Sequence, residues 1–110
     1  LLGFSLAYRV CGVLDVRAKT ITDGMCLAAA RSLAASVGPE PSADRILPTM
    51  EEWEVFPREA ADVAVQAQAE GVARRTLSWH EAHAAAESAI RRARAMVADA
   101  MRLGHIPSPP

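Results

Sequence analysis

Residues 78–104 read SWHEAHAAAESAIRRARAMVADAMRLG, and this stretch decides the fold class. Ser78, followed three residues later by Glu81, is the capping-box signature of a helix start. Beyond it, apolar residues recur at helical spacing on one face: Ala82, Ala86, Ile90, Ala93, Val97 and Met101. Gly104 is typical of the left-handed residue that closes a helix. The stretch therefore predicts a helix over residues 79–103, about 37 Å long at 1.5 Å per residue.

A second helix is predicted upstream. Thr20 with Asp23 three residues later indicates a helix start. Apolar residues then recur every four positions: Met25, Ala29, Leu33 and Val37. The proline-rich loop at residues 38–41 stops the pattern, so we expect a helix over residues 20–37.

A third helix is predicted between these two. Thr49 and Glu52 repeat the start signal but are followed by only a turn. Pro57 suits the first position of a helix, because the N–H group that it lacks would be unpaired there in any case. Gly71 supplies a left-handed cap, so we expect a helix over residues 57–70.

The two ends of the chain are less regular. In the first region, residues 1–18, Val10, Val13, Leu14 and Val16 favour a short buried strand. At the other end, residues 104–110 form a proline-rich tail that we expect to be extended. The fold class is therefore mostly α, with one or two N-terminal strands and three main helices in a single unit over residues 1–110.

Composition limits the stability and the function of the chain. It has 110 residues, of which 51% are hydrophobic, but 23 are alanines and only 5% are aromatic. Alanine favours helices but buries little apolar area, so we expect marginal stability and alanine-lined faces that fit a surface outside this chain.

Charge is uneven along the sequence. Residues 39–70 carry eight acids and two arginines, a net charge of −6, whereas residues 74–105 carry six arginines and three acids, a net charge of +3. We expect the two halves to attract each other or a neighbouring subunit. Nucleic-acid binding is disfavoured, because the basic half has one aromatic residue and no recognition motif.

Neither end of the sequence indicates a membrane span or a secreted protein. Arg9 interrupts the apolar run at residues 1–7, which is too short to cross a bilayer. The two cysteines, Cys11 and Cys26, fit thiols in a reducing compartment better than a disulfide framework. We therefore expect a cytoplasmic protein.

His80, Glu81 and His83 invite a zinc interpretation. The metalloprotease helix carries its two histidines four residues apart, with a glutamate between them. Here the spacing is three and Glu81 has a capping role, so we favour an ordinary solvated first turn over a metal site.

The acids around Trp53 form a second candidate site. Glu51, Glu52 and Glu54 could bind a hard cation or act as general acids and bases. Three acids in a turn beside an aromatic anchor are more often a solvated rim, and we favour that interpretation.

Two further groups of charged residues are candidates for a functional role. For Asp15 and Arg17 we expect a structural ion pair rather than catalysis. Arg91, Arg92 and Arg94 are interpreted as a solvated helix face or a subunit contact, with phosphate binding as the alternative.

Several blocks in order resemble a known family. They are Leu-Asp-Val-Arg-Ala at residues 14–18, Ile-Thr-Asp-x-Met at 21–25, Leu-Pro-Thr-Met-x-x-Trp-Glu-Val-x-Pro-Arg-Glu-Ala at 47–60, Gly-Val-Ala-Arg at 71–74 and Met-Arg-Leu-Gly-His-Ile-Pro at 101–107. This order resembles the C-terminal end of the short bacterial NAD(P)-dependent malic enzymes. Two departures stand out: residues 1–11 lack the asparagine usual before the first block, and Gly24 replaces a common acid.

The resemblance implies a parent oxidoreductase that converts malate to pyruvate and CO2 with NAD(P)+ and Mg2+ or Mn2+. It implies that this chain is the C-terminal part of an α/β, Rossmann-like NAD(P)-binding domain. The family's catalytic tyrosine and lysine lie in upstream motifs, so Tyr8 and Lys19 receive no role. No catalytic, cofactor-binding or metal residue is assigned here, since the sequence also lacks a Gly-x-Gly-x-x-Gly turn.

The resemblance also implies the partners. The chain would join the missing N-terminal part of the enzyme or a second subunit, and the complete protein would be a homo-oligomer. The alternative from a different functional class is a stand-alone helical interaction module derived from such an enzyme.

Overall fold

The computed structural model describes residues 11–49 and 51–110, and within them the protein is mostly helical. Residues 11–15 are helical, and three helices follow: α1 (Asp23–Ser36), α2 (Val55–Ala69) and α3 (Trp79–Arg102). In these two ranges the sole β pairing is an isolated bridge between Ser42 and Arg45. The mostly-α prediction is therefore confirmed.

Helix α2 is the centre of the fold, since both α1 and α3 pack on it. Its buried face is built largely of small side chains: Ala60, Ala61, Val63, Ala64 and Ala67. Met25 of α1 and Ala82 of α3 join the same core cluster. Small side chains let the helices approach closely, but each contributes little buried apolar area.

Helix α1 begins later than the sequence predicted. Thr22, rather than Thr20, is the N-cap residue, and its hydroxyl accepts a hydrogen bond from the N–H of Met25 at 3.1 Å. The buried face consists of Met25, Ala29 and Ser32. The predicted spacing of four drifts by about 40° at each step on a helix with 3.6 residues per turn, so Leu33 is only partly buried.

Helices α2 and α3 follow their predicted ends more closely. Helix α2 begins at Val55, two residues earlier than predicted, and Pro57 is tolerated because it lies in the first turn. Gly71 has the predicted left-handed backbone, with φ of 71°. The capping box of Ser78 and Glu81 is formed at the start of α3, and Gly104 (φ 77°) follows its end.

The predicted N-terminal strand is wrong where the structure describes it. Residues 11–15 are helical, with Val13 and Val16 buried three positions apart and Leu14 exposed by 65%. A short apolar run fits either structure, and here helical packing on α2 decides. The remainder of the predicted strand, including Val10, lies outside the described residues.

The helical residues 11–15 end in a left-handed turn without glycine. Arg17 has φ of 49°, its N–H donates to the Leu14 carbonyl, and the Ala18 N–H donates to the Val13 carbonyl, both at 3.0 Å. These are the two hydrogen bonds of a Schellman motif, which usually has glycine at this position.

The chain is more extended than a compact domain of its size. Its radius of gyration is 15.3 Å, whereas about 13 Å is expected for 110 residues. One projecting part is the second half of α3, residues 91–102, in which every residue except Ala100 and Met101 is exposed. We call this half the arm.

Candidate functional site

The polar and aromatic side chains of α3 form a row along one face, which begins at Trp79. The indole Nε1 of Trp79 donates to Asp62 Oδ1 of α2 at 2.7 Å. The imidazole of His83 stacks on the indole, with ring centroids 5.0 Å apart and an interplanar angle of 21°. The Trp79–Asp62 hydrogen bond joins the first turn of α3 to α2, and the stacking with His83 holds the indole ring in place.

The row continues from His83 to Arg91 through Glu87. His83 Nδ1 lies 3.8 Å from Glu87 Oε2, and Glu87 Oε1 accepts from Arg91 Nε at 3.0 Å and Nη2 at 2.8 Å. Residues four apart lie on one face of a helix, which explains the alignment. The Glu87–Arg91 pair is largely solvent-exposed, so it adds little stability.

The row ends at Trp53, which lies just before α2. The Arg91 guanidinium carbon is 5.0 Å from the centre of the Trp53 ring, and that of Arg94 is 5.6 Å away. Both distances are within the range of cation–π attraction. Trp53 therefore joins the loop before α2 to the start of the arm, and Arg92 is exposed outside this contact.

The acids beside Trp53 have different roles. Glu52 Oε2 accepts from the Thr49 N–H at 2.7 Å, and Glu52 also pairs with Arg45. The Thr49 hydrogen bond, helped by the Arg45 charge, lowers the pKa of Glu52. Glu51 and Glu54 are exposed. The favoured interpretation of a solvated rim fits this arrangement, in which Glu52 closes the predicted turn.

The three residues of the candidate zinc motif, His80, Glu81 and His83, each make different contacts. His80 is exposed and contacts the Trp79 ring edge-on at 5.3 Å, whereas His83 lies flat on that ring. Glu81 accepts from the N–H of Ser78 at 2.8 Å, and hydrogen bonds from Ser78 lower its pKa. Across residues 11–49 and 51–110, no group of three or more His, Cys, Asp and Glu side chains could hold a metal ion.

The expected ion pair between Asp15 and Arg17 is not formed. Burial raises the pKa of Asp15, and the positive charge of Arg75 lowers it by a smaller amount. The left-handed backbone of Arg17 leaves its side chain exposed. The N–H groups of Arg74 and Arg75 both donate to the Val16 carbonyl, so the loop after α2 is bound to this turn through its backbone.

Sequence reasoning missed the role of Gln68. Its Nε2 donates to the Leu77 carbonyl at 2.8 Å and to the Ala64 carbonyl at 3.1 Å, and its Oε1 accepts from the Leu77 N–H at 3.1 Å. The Gln68 side chain thus makes the two hydrogen bonds to the Leu77 backbone that a neighbouring β-strand would otherwise make. A glutamine late in an amphipathic helix gives no sequence signal for this contact.

A second missed contact explains Gly24. The Thr22 hydroxyl donates to Glu70 Oε2 at 2.5 Å, so the carboxylate of Glu70 lies over the first turn of α1. A Cβ at position 24 would be closer than 3 Å to that carboxylate. The absence of a Cβ at Gly24 therefore leaves room for the carboxylate of Glu70, the residue that follows α2, and the departure of Gly24 from the family pattern was the available sequence signal.

Lys19 and Tyr8 are the two residues that received no role from the sequence. Lys19 is exposed, and its backbone N–H donates to the Val72 carbonyl at 2.9 Å. Tyr8 lies outside the described residues.

Two solved structures match this arrangement. The malic enzyme of Entamoeba histolytica superposes with a TM-score of 0.85 and 43% sequence identity, over 93% of this chain and 21% of that one. The malic enzyme of Pyrococcus horikoshii Ot3 gives a TM-score of 0.77 and 38% identity, over 84% of this chain and 21% of that one. The resemblance to malic enzymes is confirmed.

This chain matches only a part of each malic enzyme, since it spans about a fifth of the length of either solved protein. That is consistent with the C-terminal segment indicated by the sequence blocks. No protein-family model matches the chain, and no curated protein matches it significantly. Among the described helices, none has both the length and the apolar character needed to cross a membrane.

Proposed function

We propose that this chain is the C-terminal segment of an NAD(P)-dependent malic enzyme and that it serves there as a helical scaffold without an active site of its own. The observation that carries the proposal is the match to two malic enzymes at 43% and 38% identity over nearly the whole chain. The complete enzyme would convert malate to pyruvate and CO2.

The use of the polar side chains supports a scaffold role. Glu52, Glu81 and Glu87, which could act as acids or bases, form turn, cap or helix-face contacts. His83 is stacked on Trp79. A general acid or base must reach the proton that it transfers, and these groups are held by their own neighbours instead.

Two observations support placing the cofactors of the family outside this chain. Residues 11–49 and 51–110 include no group of three or more His, Cys, Asp and Glu side chains that could hold a metal ion, and the sequence has no glycine-rich turn for a dinucleotide pyrophosphate. Our proposal therefore assigns NAD(P)+ and Mg2+ or Mn2+ to residues outside this chain. We further propose that its helices pack beside the NAD(P)-binding sheet of that polypeptide, in the cytoplasm.

A segment exchange tests the proposal. The matched fifth of the Entamoeba histolytica malic enzyme is replaced by this chain, and malate-dependent reduction of NAD(P)+ is measured with Mg2+ present. We expect the folded hybrid to turn over. A hybrid that folds, as judged by its thermal transition, but is inactive would show that the segment supplies chemistry that this chain lacks.

The isolated chain provides the complementary measurement. We expect no NAD(P)H formation from malate when the 110-residue chain is assayed alone. Measurable turnover that increases with chain concentration would refute the assignment of the active site to other residues.

The exposed arm favours a second candidate, a stand-alone helical interaction module. The two functions differ in what completes the protein: the malic-enzyme remainder in the first, an unrelated partner in the second. An active hybrid supports the first candidate, because a reused remnant would not be expected to retain the packing surface for the enzyme.

A further inference from the structure

The arm of α3 is helical as far as Arg102, although it has little cover from the other described residues. Every residue of the arm except Ala100 and Met101 is exposed. Most of the stability of a helix in a protein comes from packing, and an isolated helix of about 12 residues is marginal in water. The covered half of α3 supplies the helix nucleus, but the arm must be stabilised by contacts of its own.

The first turn of the arm contacts a residue outside α3. The guanidinium carbon of Arg91 is 5.0 Å from the centre of the Trp53 ring, and that of Arg94 is 5.6 Å away. Residues three apart lie on one face of a helix, so both arginines meet the same ring. Glu87 Oε1 accepts hydrogen bonds from Nε and Nη2 of Arg91, and these bonds hold the Arg91 guanidinium group in place.

Trp53 is itself held by the start of α2. Its carbonyl accepts from the N–H of Phe56 at 3.2 Å, and Phe56 is buried. On the other side of Trp53, the carboxylate of Glu52 closes the preceding turn by accepting from the Thr49 N–H at 2.7 Å. The two arginines therefore lie on a ring whose backbone is fixed to the core, and their contact anchors the arm to the rest of the fold.

We propose that Trp53 is a latch that controls whether the arm is helical. While Arg91 and Arg94 lie on the Trp53 ring, the arm stays wound. When this contact opens, the arm unwinds from its C-terminal end back to Ile90, which is buried and marks the end of the covered half of α3. The loop before α2 thereby sets the order of a segment that is distant from it in the sequence.

The size of the effect follows from the kind of contact. A cation–π contact at an exposed site is weak, and two of them together shift an opening equilibrium by about tenfold. The rate of amide hydrogen exchange through local opening is proportional to that equilibrium. Loss of the latch should therefore accelerate exchange in the arm by about tenfold. Exchange in α1 and in the covered half of α3 should stay the same, because these elements do not open with the arm.

The test is amide hydrogen exchange of the 110-residue chain, resolved by residue with NMR at one pH and temperature. Trp53→Leu retains an apolar side chain but removes the ring. Arg94→Gln removes one guanidinium group from the ring, whereas Arg92→Gln removes one from an exposed position outside the contact. Arginine and glutamine have similar helix propensities, so the two arginine variants differ mainly in the contact with Trp53.

In Trp53→Leu the amides of residues 95–102 should exchange about tenfold faster, and those of residues 82–88 should change by less than about twofold. Arg94→Gln should accelerate exchange in the arm by about threefold, and Arg92→Gln should leave it unchanged. Combined with Trp53→Leu, Arg94→Gln should have no further effect, because the two side chains act through one contact.

Three results would overturn the proposal: an arm whose exchange is unchanged in Trp53→Leu, equal effects of Arg92→Gln and Arg94→Gln, or an acceleration in Trp53→Leu that extends equally over α1 and α2. The last result would mean that Trp53 stabilises the whole fold and not the arm. The contacts in question lie inside this chain, so the outcome is independent of malic-enzyme activity in the hybrid.

Discussion

Replacing Gln68 with glutamate would test whether one side chain fixes the loop after α2. The substitution preserves the shape of the side chain and the acceptor for the Leu77 N–H. It removes the amide donor that now serves the Leu77 carbonyl at 2.8 Å and the Ala64 carbonyl at 3.1 Å. A carboxylate would then face two carbonyl oxygens.

The magnitude follows from these contacts. Two hydrogen bonds from the amide are lost at about 1 kcal/mol each, and the partly buried Leu77 carbonyl is left without a donor. We expect the free energy of unfolding at pH 7 to fall by about 2 kcal/mol. With a urea dependence of about 1–2 kcal/mol per molar, the midpoint should move down by about 1–2 M.

The assay is urea unfolding of the 110-residue chain, followed by circular dichroism. Gln66→Glu is the matched control, since Gln66 lies on the same helix, two residues away, and its side chain makes no hydrogen bond to the described residues. Equal midpoints for the Gln66 and Gln68 variants at pH 7 would refute the role assigned to Gln68.

The pH dependence of the variant gives an independent check. Two carbonyl oxygens favour the protonated form of the new carboxyl group, so its pKa should be higher in the folded chain than its unfolded value of about 4.3. The deficit relative to the unmodified chain should therefore be complete above the folded pKa and should shrink as the pH falls through it. A deficit independent of pH would point to a steric cause.

Three further predictions concern the backbone and the caps. Gly12→Ala should lower the free energy of unfolding by about 2–3 kcal/mol, because its Cβ would lie 2.5 Å from the Ala60 carbonyl oxygen and neither backbone can move freely; an unchanged urea midpoint would contradict this. Arg17→Gly should raise that free energy by about 1 kcal/mol by removing the cost of a left-handed backbone, whereas Arg17→Ala, which retains the Cβ, should not, and a similar gain from both would refute the explanation. Glu81→Gln should reduce the loss of stability in acid: hydrogen bonds from Ser78 hold the folded-state pKa of Glu81 below its ordinary value, so its contribution is present above that value and is lost as the pH falls. Acid unfolding curves of the same shape for Glu81→Gln and the unmodified chain would count against it.

The sequence predicted α3 well because its signals are local. Ser78 and Glu81 form the capping box with each other, and Gly104 follows the last turn, so neither feature depends on the rest of the fold. The apolar pattern of α3 could not predict which part of this helix packs against another helix. Ala86 and Val97 belong to the same stripe, but α2 covers only the first of them.

The sequence predictions that failed concern features that depend on contacts between residues distant in the sequence. Residues 11–15 are helical because they pack on α2, and their apolar run alone fits a strand equally well. The expected pair of Asp15 with Arg17 is not formed: Arg17 lies in a left-handed turn, and the positive charge that acts on Asp15 is that of Arg75, 60 residues away in the sequence. The hydrogen bonds between Gln68 and Leu77 join two residues nine positions apart, and no known sequence pattern predicts such a contact.

The alanines along the buried side of α2 restrict how this segment can diverge. Ala60, Ala64 and Ala67 have no exposed surface, so a bulkier residue at any of them must displace a whole neighbouring helix rather than fill a gap. Exchange at these positions is limited to residues of about the same volume. The separation between the axes of α2 and its neighbouring helices is thus the property of this segment that the three alanines constrain most strongly.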